Sequence, residues 1–248
     1  MSISDSGQQS GWKDYPAEIW DERKPIDWLD DWPFWEWCAA NYAPHTPILE
    51  LACGNGRITR QLILAGYTVA AVDINPHFLS RAVQHIGELP DDVRARVEFY
   101  LQDIVELELE QRFALALMAD WAFPALLTQS DQLNFLRRLA DHLLPGGYFA
   151  FDTILPTVRQ LGLTPCNSGE GLEWAGTGRT FDPIHQIETR LSTDQVMRYR
   201  HSSLSEITLL AEMTGFEVVE CFGGTDKRPL LGVPGDDLTL VLRKKTHE

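Results

Sequence analysis

The feature that most restricts this chain is "PILELACGNGRITRQLILAG", residues 47–66. An apolar run ends in an acid, a cysteine and two glycines, and passes straight into a helical pattern. Apolar residues at successive positions mark a strand buried on both faces, as in a parallel sheet covered by helices. Glycine supplies backbone at positive φ, or lets a ligand lie against main chain. The segment therefore predicts a strand, a ligand-facing turn and a helix closed by Gly66. Ligands of open parallel sheets sit beyond the carboxyl ends of the strands, so the turn also locates the expected site.

The same rhythm continues. "YTVAAVD" predicts a second strand, and "NPHFLSRAVQHI" a helix with Asn75 as N-cap and Pro76 at the first helical position. "RVEFYLQD" and "FALALMAD" follow as strands three and four. "SDQLNFLRRLADHLL" is amphipathic through Leu133, Leu136, Leu139, Leu143 and Leu144, then "PGG" and a fifth strand, "YFAFD". "SLSEITLLAEMTG" predicts a helix with a Ser203–Glu206 capping box and Gly215 as C-terminal cap. "FEVVECFGG" and "DLTLVLRKK" complete seven strands. Residues 153–200 break the alternation with Gly162, Gly169, Gly171, Gly176 and Gly178, and with "GRTFD" and "QVMRYRH", which read as an inserted loop carrying short antiparallel strands. Residues 1–14 read as disordered. Residues 15–46 crowd Trp20, Trp28, Trp32, Phe34, Trp35 and Trp37 into short helical pieces divided by Pro25 and Pro33. The expected class is α/β: a doubly wound, mostly parallel seven-stranded sheet over 47–248, with a helical segment at 15–46 and an insertion at about 153–200 after strand five.

Charge narrows the partners. Thirty-six Asp and Glu against 21 Lys and Arg give a formal net charge of −15. Such a surface repels phosphate backbones, and the basic cluster is only "RKK" at 243–245, so no nucleic-acid partner is expected. Cys38, Cys53, Cys166 and Cys221 lack C-x-x-C spacing, which argues against zinc and disulfides and for a reducing compartment. No apolar run approaches the ~20 residues of a membrane span, and the polar N-terminus lacks the order of a signal peptide. The expectation is a cytoplasmic protein with no membrane association and no metal.

Three chemistries use a glycine turn after the first strand. A triphosphate loop needs G-x-x-x-x-G-K-[ST], which is absent. A nicotinamide dinucleotide loop wants G-x-G-x-x-G, and the run Gly54, Asn55, Gly56, Arg57, Ile58, Thr59 lacks the third glycine. Asp73 ends the second strand, where a carboxylate can accept two hydrogen bonds from a ribose diol. Asp103 ends the third, placed to accept from an exocyclic amine. An adenosine with a cationic tail suits this acid-rich edge better than a pyrophosphate.

Together "ELACGNGRITRQLILAGYTVAAVDINPHFL", "LQDI", "FALALMADWAFPALLTQSDQLNFLRRLADHLLPGGYFAFD" and "RYRHSSLSEITLLAEMTGFEVVECFGG" resemble the motifs of class I S-adenosylmethionine-dependent methyltransferases of the small-molecule type. The resemblance spans roughly residues 45–248. It departs from the usual pattern at Asn55, where Thr or Ser is common, and in the tryptophan-rich N-terminus. It implies S-adenosyl-L-methionine as donor, S-adenosyl-L-homocysteine as product, and in-line transfer to a nitrogen or oxygen of a small molecule. By that resemblance Gly54 and Gly56 admit the methionine portion, Glu50 orients the loop or the donor ammonium, Asp73 holds the ribose, and Asp103 with Ile104 frames the adenine. Met118 and Ala119 line the donor's face, and Ala52, Asn55, Arg57 and Ile74 complete its surroundings. Arg57 has an equal alternative as partner to a neighbouring acid. Tyr15 and Trp20, around "PAEIWDE", would form the lid, with cation–π attraction for a sulfonium. Asp120, Trp121 and Phe123 would border the acceptor, against an alternative as a polar turn with two core aromatics. His185, Asp120 and His201 are the candidate proton acceptors; a solvent-facing loop is the alternative for His185. His77 and His142 read as structural, and Cys53 as a packing residue. Two rival functions remain: a catalytically silent binding protein of the same fold, and a NAD-dependent oxidoreductase.

Overall fold

The computed structural model describes residues 10–155, 164–165, 172–174, 179–192, 195–232 and 237–246. Two helices come first, α1 (Ala17–Arg23) and α2 (Trp32–Tyr42), followed by β1 (Ile48–Leu51), α3 (Arg57–Leu64), β2 (Val69–Asp73), α4 (Pro76–Gly87), α5 (Asp91–Arg94), β3 (Val97–Leu101), β4 (Phe113–Met118), α6 (Gln129–His142) and β5 (Leu143–Ile154). An antiparallel group follows: β6 (Thr164–Pro165), β7 (Leu172–Trp174), β8 (Arg179–Asp182), β9 (Ile187–Ser192) and β10 (Gln195–Arg200). The chain returns to the main sheet through α7 (Leu204–Met213), β11 (Phe216–Phe222) and β12 (Asp237–Lys244).

The main sheet has the order β11-β12-β5-β4-β1-β2-β3. β1 to β5 run parallel, and β12 is antiparallel to both β5 and β11. From β1 the chain winds outward to β2 and β3, then starts again at β4 on the other side. The carboxyl ends of β1 and β4 therefore flank the point where winding reverses, which opens a crevice between the two connections.

Every residue of β1 and β2 is buried, because helices cover both faces. One face packs Phe135, Leu136 and Leu139 of α6 and Ile207 of α7 on Leu49, Val72 and Phe151. The other packs Phe34 and Trp35 of α2 and Ile58 and Leu62 of α3 on Ile48, Leu117 and Val241. Gly66 and Gly215 end their helices in left-handed backbone, at φ 96° and 82°, and Asn75 Oδ1 caps α4 by accepting from His77 N at 2.9 Å.

Three sequence expectations need correction. The helix expected to run through Leu144 stops at His142, since Leu143 is drawn into register with Phe113 and Leu144 points outward. The antiparallel strands expected in the insertion at "GRTFD" and "QVMRYRH" are β8 and β10 of a five-stranded sheet in the order β10-β9-β8-β7-β6; β9, "IETRLS", adds a strand whose inward residues, Glu188 and Arg190, are charged. Residues 10–14 are held rather than disordered: Ser10 O accepts from Arg198 N at 3.1 Å, and the Trp12 ring lies 5.1 Å from Tyr15. Only half the capping box forms, since Ser203 Oγ accepts from Glu206 N while the Glu206 carboxylate turns to Arg200 and Gln129. Residues 1–9, the five insertion glycines and Cys166 lie outside the described residues. Among those described, no helix is long and apolar enough to cross a membrane.

Gly56 tests the tightest joint. A Cβ there would stand 2.9 Å from Ala82 Cβ on α4, and the backbone sits at φ 81°. Overpacking and left-handed strain together predict that Gly56→Ala destabilises the chain by about 2–3 kcal/mol, read as a lowered urea midpoint at unchanged m-value; an unmoved midpoint would contradict this packing.

Candidate functional site

The turn after β1 is a chain of left-handed residues: Ala52 at φ 53°, Gly54 at 57° and Gly56 at 81°. A carboxylate from the next strand fixes it. Asp73 Oδ2 accepts from Gly54 N at 2.8 Å and Oδ1 accepts from Asn75 N at 2.8 Å. Asn75 extends the stitch, because its Nδ2 donates to Trp12 O at 2.8 Å and Tyr15 O at 2.9 Å. One acid and one amide thus join the glycine turn, the start of α4 and the N-terminal strap, residues 10–31.

Above this turn, at the reversal point of the sheet, lies a cavity of about 410 Å³, within the usual ~300–1,000 Å³ of small-molecule sites. Asp73 and Ile74 from the tip of β2, Asp103 and Ile104 from beyond β3, Ala52 and Gly54 from the turn, and Ala119 and Asp120 from beyond β4 all border it. Trp20 closes it from the strap, where a Cβ on Gly54 would stand 3.6 Å from Trp20 Nε1. A recess of about 30 Å³ opens beside it, bordered by Glu50, Asn55 and Arg57 with Trp20, Gly54 and Asp120.

The floor of the recess holds buried charge. Arg57 donates to both oxygens of Asp31, at 2.5 and 2.9 Å, and to Asp120 Oδ2 at 2.8 Å. A buried guanidinium is tolerable only when paired in this way. Lys24 Nζ meets Asp120 Oδ1 at 2.8 Å and lies over the Trp28 ring, and Asn55 Nδ2 donates to Asp21 Oδ1 at 2.9 Å. The acid-partner alternative for Arg57 is therefore present in the geometry, alongside its place at the recess. Burial pushes the Glu50 carboxyl up to about 8, opposed first by the Thr59 hydroxyl, which donates to Oε2 at 2.6 Å. Burial likewise raises Asp73 to about 6 against its backbone hydrogen bonds.

Several expected residues stand elsewhere. Tyr15 is fully buried, accepting from Arg23 NH1 at 3.1 Å, and borders neither opening; Trp12 takes the position expected of it. Gly56 faces α4, Met118 and Phe123 lie in the core, and Trp121 packs with the aromatic cluster of Tyr15 and Tyr199. His185 is exposed on a turn, its Nδ1 2.5 Å from Asp182 Oδ2. His201 is buried with Nε2 2.8 Å from Glu188 Oε2. Burial pushes Glu188 up, but hydrogen bonds from His201 and Arg190 outweigh it and bring the carboxyl to about 2. Neither histidine borders the cavities. His142 Nε2 accepts from Leu109 N at 2.9 Å while Nδ1 faces Arg138 O at 2.7 Å, a structural place away from the cavities. Sequence reading missed Trp12, Phe78 and Leu126 on the cavity wall; the tryptophan in a polar terminus was the one signal available.

Residues 48–147 match the family model described as a methyltransferase domain. The chain is 28% identical over 141 residues to the ubiquinone biosynthesis O-methyltransferase of Caulobacter sp. (strain K31), covering 53% of this chain and 50% of that one. It spans about half the length of the curated relatives it matches. Among solved structures, the CcbJ methyltransferase from Streptomyces caelestis superposes with a TM-score of 0.76 at 22% identity, over 97% of this chain and 100% of that one. The glycopeptide N-methyltransferase MtfA complexed with S-adenosyl-L-methionine gives 0.63 at 20% identity, over 87% and 93%.

The raised carboxyls set a pH dependence. Folded Glu50 keeps its proton from its ordinary 4.5 up to about 8, and Asp73 from 3.8 up to about 6, where the unfolded chain has lost both. The folded state binds more protons there, so stability falls as pH rises through those windows. The melting temperature of the ligand-free chain should decline between pH 5 and 8, and Glu50→Gln should flatten the upper half; an unaltered slope in that variant would mean Glu50 is already ionised.

Proposed function

We propose that this chain, whose residues 48–147 match a methyltransferase domain and whose fold is that of class I S-adenosylmethionine-dependent methyltransferases, transfers a methyl group to a nitrogen or oxygen of a small molecule. The observation that carries the reading is the convergence of Asp73 and Asp103, from successive strand tips, on one cavity beside the left-handed turn. The residues fit the donor: a ribose diol matches Asp73, an exocyclic amine matches Asp103, and Gly54 leaves main chain bare at the recess. S-Adenosyl-L-methionine supplies an activated methyl on a sulfonium, so the protein need not build an electrophile.

What remains for this chain is placement and exclusion of water. Asp73 would hold the ribose hydroxyls through lone pairs left over from Gly54 N and Asn75 N. Asp103, which already accepts from Val105 N at 3.0 Å, would present its second oxygen towards the adenine, with Ile104 against the ring. Glu50 and Asn55 at the recess would meet the amino-acid end. Trp12 and Trp20 roof the cavity and shed water from it. Asp120 stands where cavity and recess join and would seat the acceptor. Fixed positioning of two reactants accounts for much of the rate gain such a site needs, up to ~7–11 kcal/mol in good intramolecular cases.

Nitrogen is favoured over oxygen as the acceptor atom. Among the described residues no histidine borders the cavity, and Asp120 is engaged by Arg57 and Lys24. A neutral amine presents its lone pair without a base, whereas a hydroxyl must first lose a proton.

Calorimetry decides the donor. S-Adenosylhomocysteine should bind and NAD should give no heat; the reverse would favour the oxidoreductase. Asp73→Ala should weaken S-adenosylhomocysteine binding by about 1.5–3 kcal/mol and Asp103→Ala by about 1 kcal/mol, with far-UV circular dichroism unchanged. Full affinity in a folded Asp73→Ala chain would place the ribose elsewhere. Labelled-methyl turnover across an amine and phenol panel then separates an enzyme from a silent binder.

A further inference from the structure

Two neighbouring residues beyond β4 hold left-handed backbone without being glycine, Asp120 at φ 60° and Trp121 at φ 55°. Such backbone is unfavourable for L side chains and persists only where its surroundings over-determine it. From the cavity side, the Asp120 carboxylate is gripped by Arg57 NH2 and Lys24 Nζ, each at 2.8 Å. From beneath, Trp121 N donates to Asp152 Oδ1 at 3.2 Å. Asp152 is buried near the end of β5, opposite Thr239 of β12, and borders neither cavity nor recess. Its burial, with Asp120 and then Asp31 and Asp237 nearby, holds its carboxyl well above the usual range. A neutral acid there still offers a carbonyl oxygen to Trp121 N. A carboxyl inside "YFAFDTI" does nothing for core packing and carries a desolvation cost, so its bond to the strained corner gives it a purpose.

We propose that Asp152 is a positioning residue: through the Trp121 N–H it fixes the Asp120–Trp121 corner, which sets the Asp120 carboxylate against Lys24 and Arg57 and so latches the N-terminal strap over the donor cavity. Lys24 immediately follows α1, and Arg57 NH1 also donates to Trp28 O at 3.1 Å. Asp120 is thus where the strap meets the end of the sheet. Relaxation of the corner would turn its carboxylate away and release Lys24. The donor part of this inference rests on the function proposed above.

Amide hydrogen exchange on the ligand-free full chain, with calorimetric titration of S-adenosylhomocysteine, tests it. In Asp152→Asn the amide oxygen accepts the same N–H, so protection at residues 119–123 and 20–31 and affinity within about twofold of wild type are expected. Asp152→Ala should speed exchange at both segments by about tenfold or more, leave β1, β2 and β4 protected, and weaken S-adenosylhomocysteine by about fivefold or more. Wild-type exchange at the corner in Asp152→Ala, equal damage in Asp152→Asn, or faster exchange throughout the sheet would each overturn it. Should Asp152→Ala not fold, Lys24→Ala, at the solvent side of the latch, still decides: it must speed exchange over 20–31, and unchanged exchange there overturns the latch. Wild-type chain that does not bind S-adenosylhomocysteine would refute the donor reading, while the exchange data, taken without ligand, still judge the latch.

Discussion

The site depends on one carboxylate accepting two backbone N–H groups. Asp73 ties the glycine turn to the start of α4, with both bonds at 2.8 Å. Within the left-handed turn of Ala52, Gly54 and Gly56, Cys53 N donates to Val72 O and Gly56 N to Cys53 O, each at 3.0 Å, while Gly54 N is satisfied by the Asp73 carboxylate. Once Asp73 fixes Gly54, the bare main chain faces the crevice, and Asn75 can spend its side chain on both the α4 cap and the strap carbonyls. Removal of the acid from this corner would loosen three elements together.

A second constraint is the buried guanidinium of Arg57. Its cost is met by Asp31 from the strap and Asp120 from beyond β4, so the charge that must be neutralised also gathers the N-terminal segment onto the sheet. The insertion repeats the device. Arg200 reaches Gln132, Ser202, Gln186 and Glu206, and Glu188 gathers His201 and Arg190. In both places polar groups inside the structure set relative positions that apolar contact would leave free to slide.

Legibility tracked whether a signal was local. Strand ends, the Asn75 cap and the left-handed Gly66 and Gly215 follow from residues within a few positions, and the sequence predicts them directly. The site was legible where a strand tip carries an acid: Asp73 and Asp103 border the cavity as expected, with Trp20, Ala52, Gly54 and Ala119. Reading failed where burial depends on distant chain. Met118 and Phe123 each sit one position from a cavity residue, yet the pleat of β4 turns Met118 into the core and the short 3₁₀ turn at Phe123–Ala125 packs Phe123 against Phe135 and Phe151. Trp12 belongs to a polar stretch and finds its place only against Tyr15, Phe78 and Tyr199.

The amino-acid sequence by itself determined the alternation of buried strand and helix, the left-handed turn after β1, and the acids at two strand tips, because each is written in residues that act within one element. Tertiary structure alone decided that Tyr15 is enclosed while Trp12 and Trp20 roof the cavity, that Arg57 answers to Asp31 and Asp120, and that the candidate histidines stand away from the site. Those outcomes turn on which charged and aromatic groups meet across long stretches of chain. The cost of burying a charge or an unpaired N–H is settled only by the partner that folding brings to it.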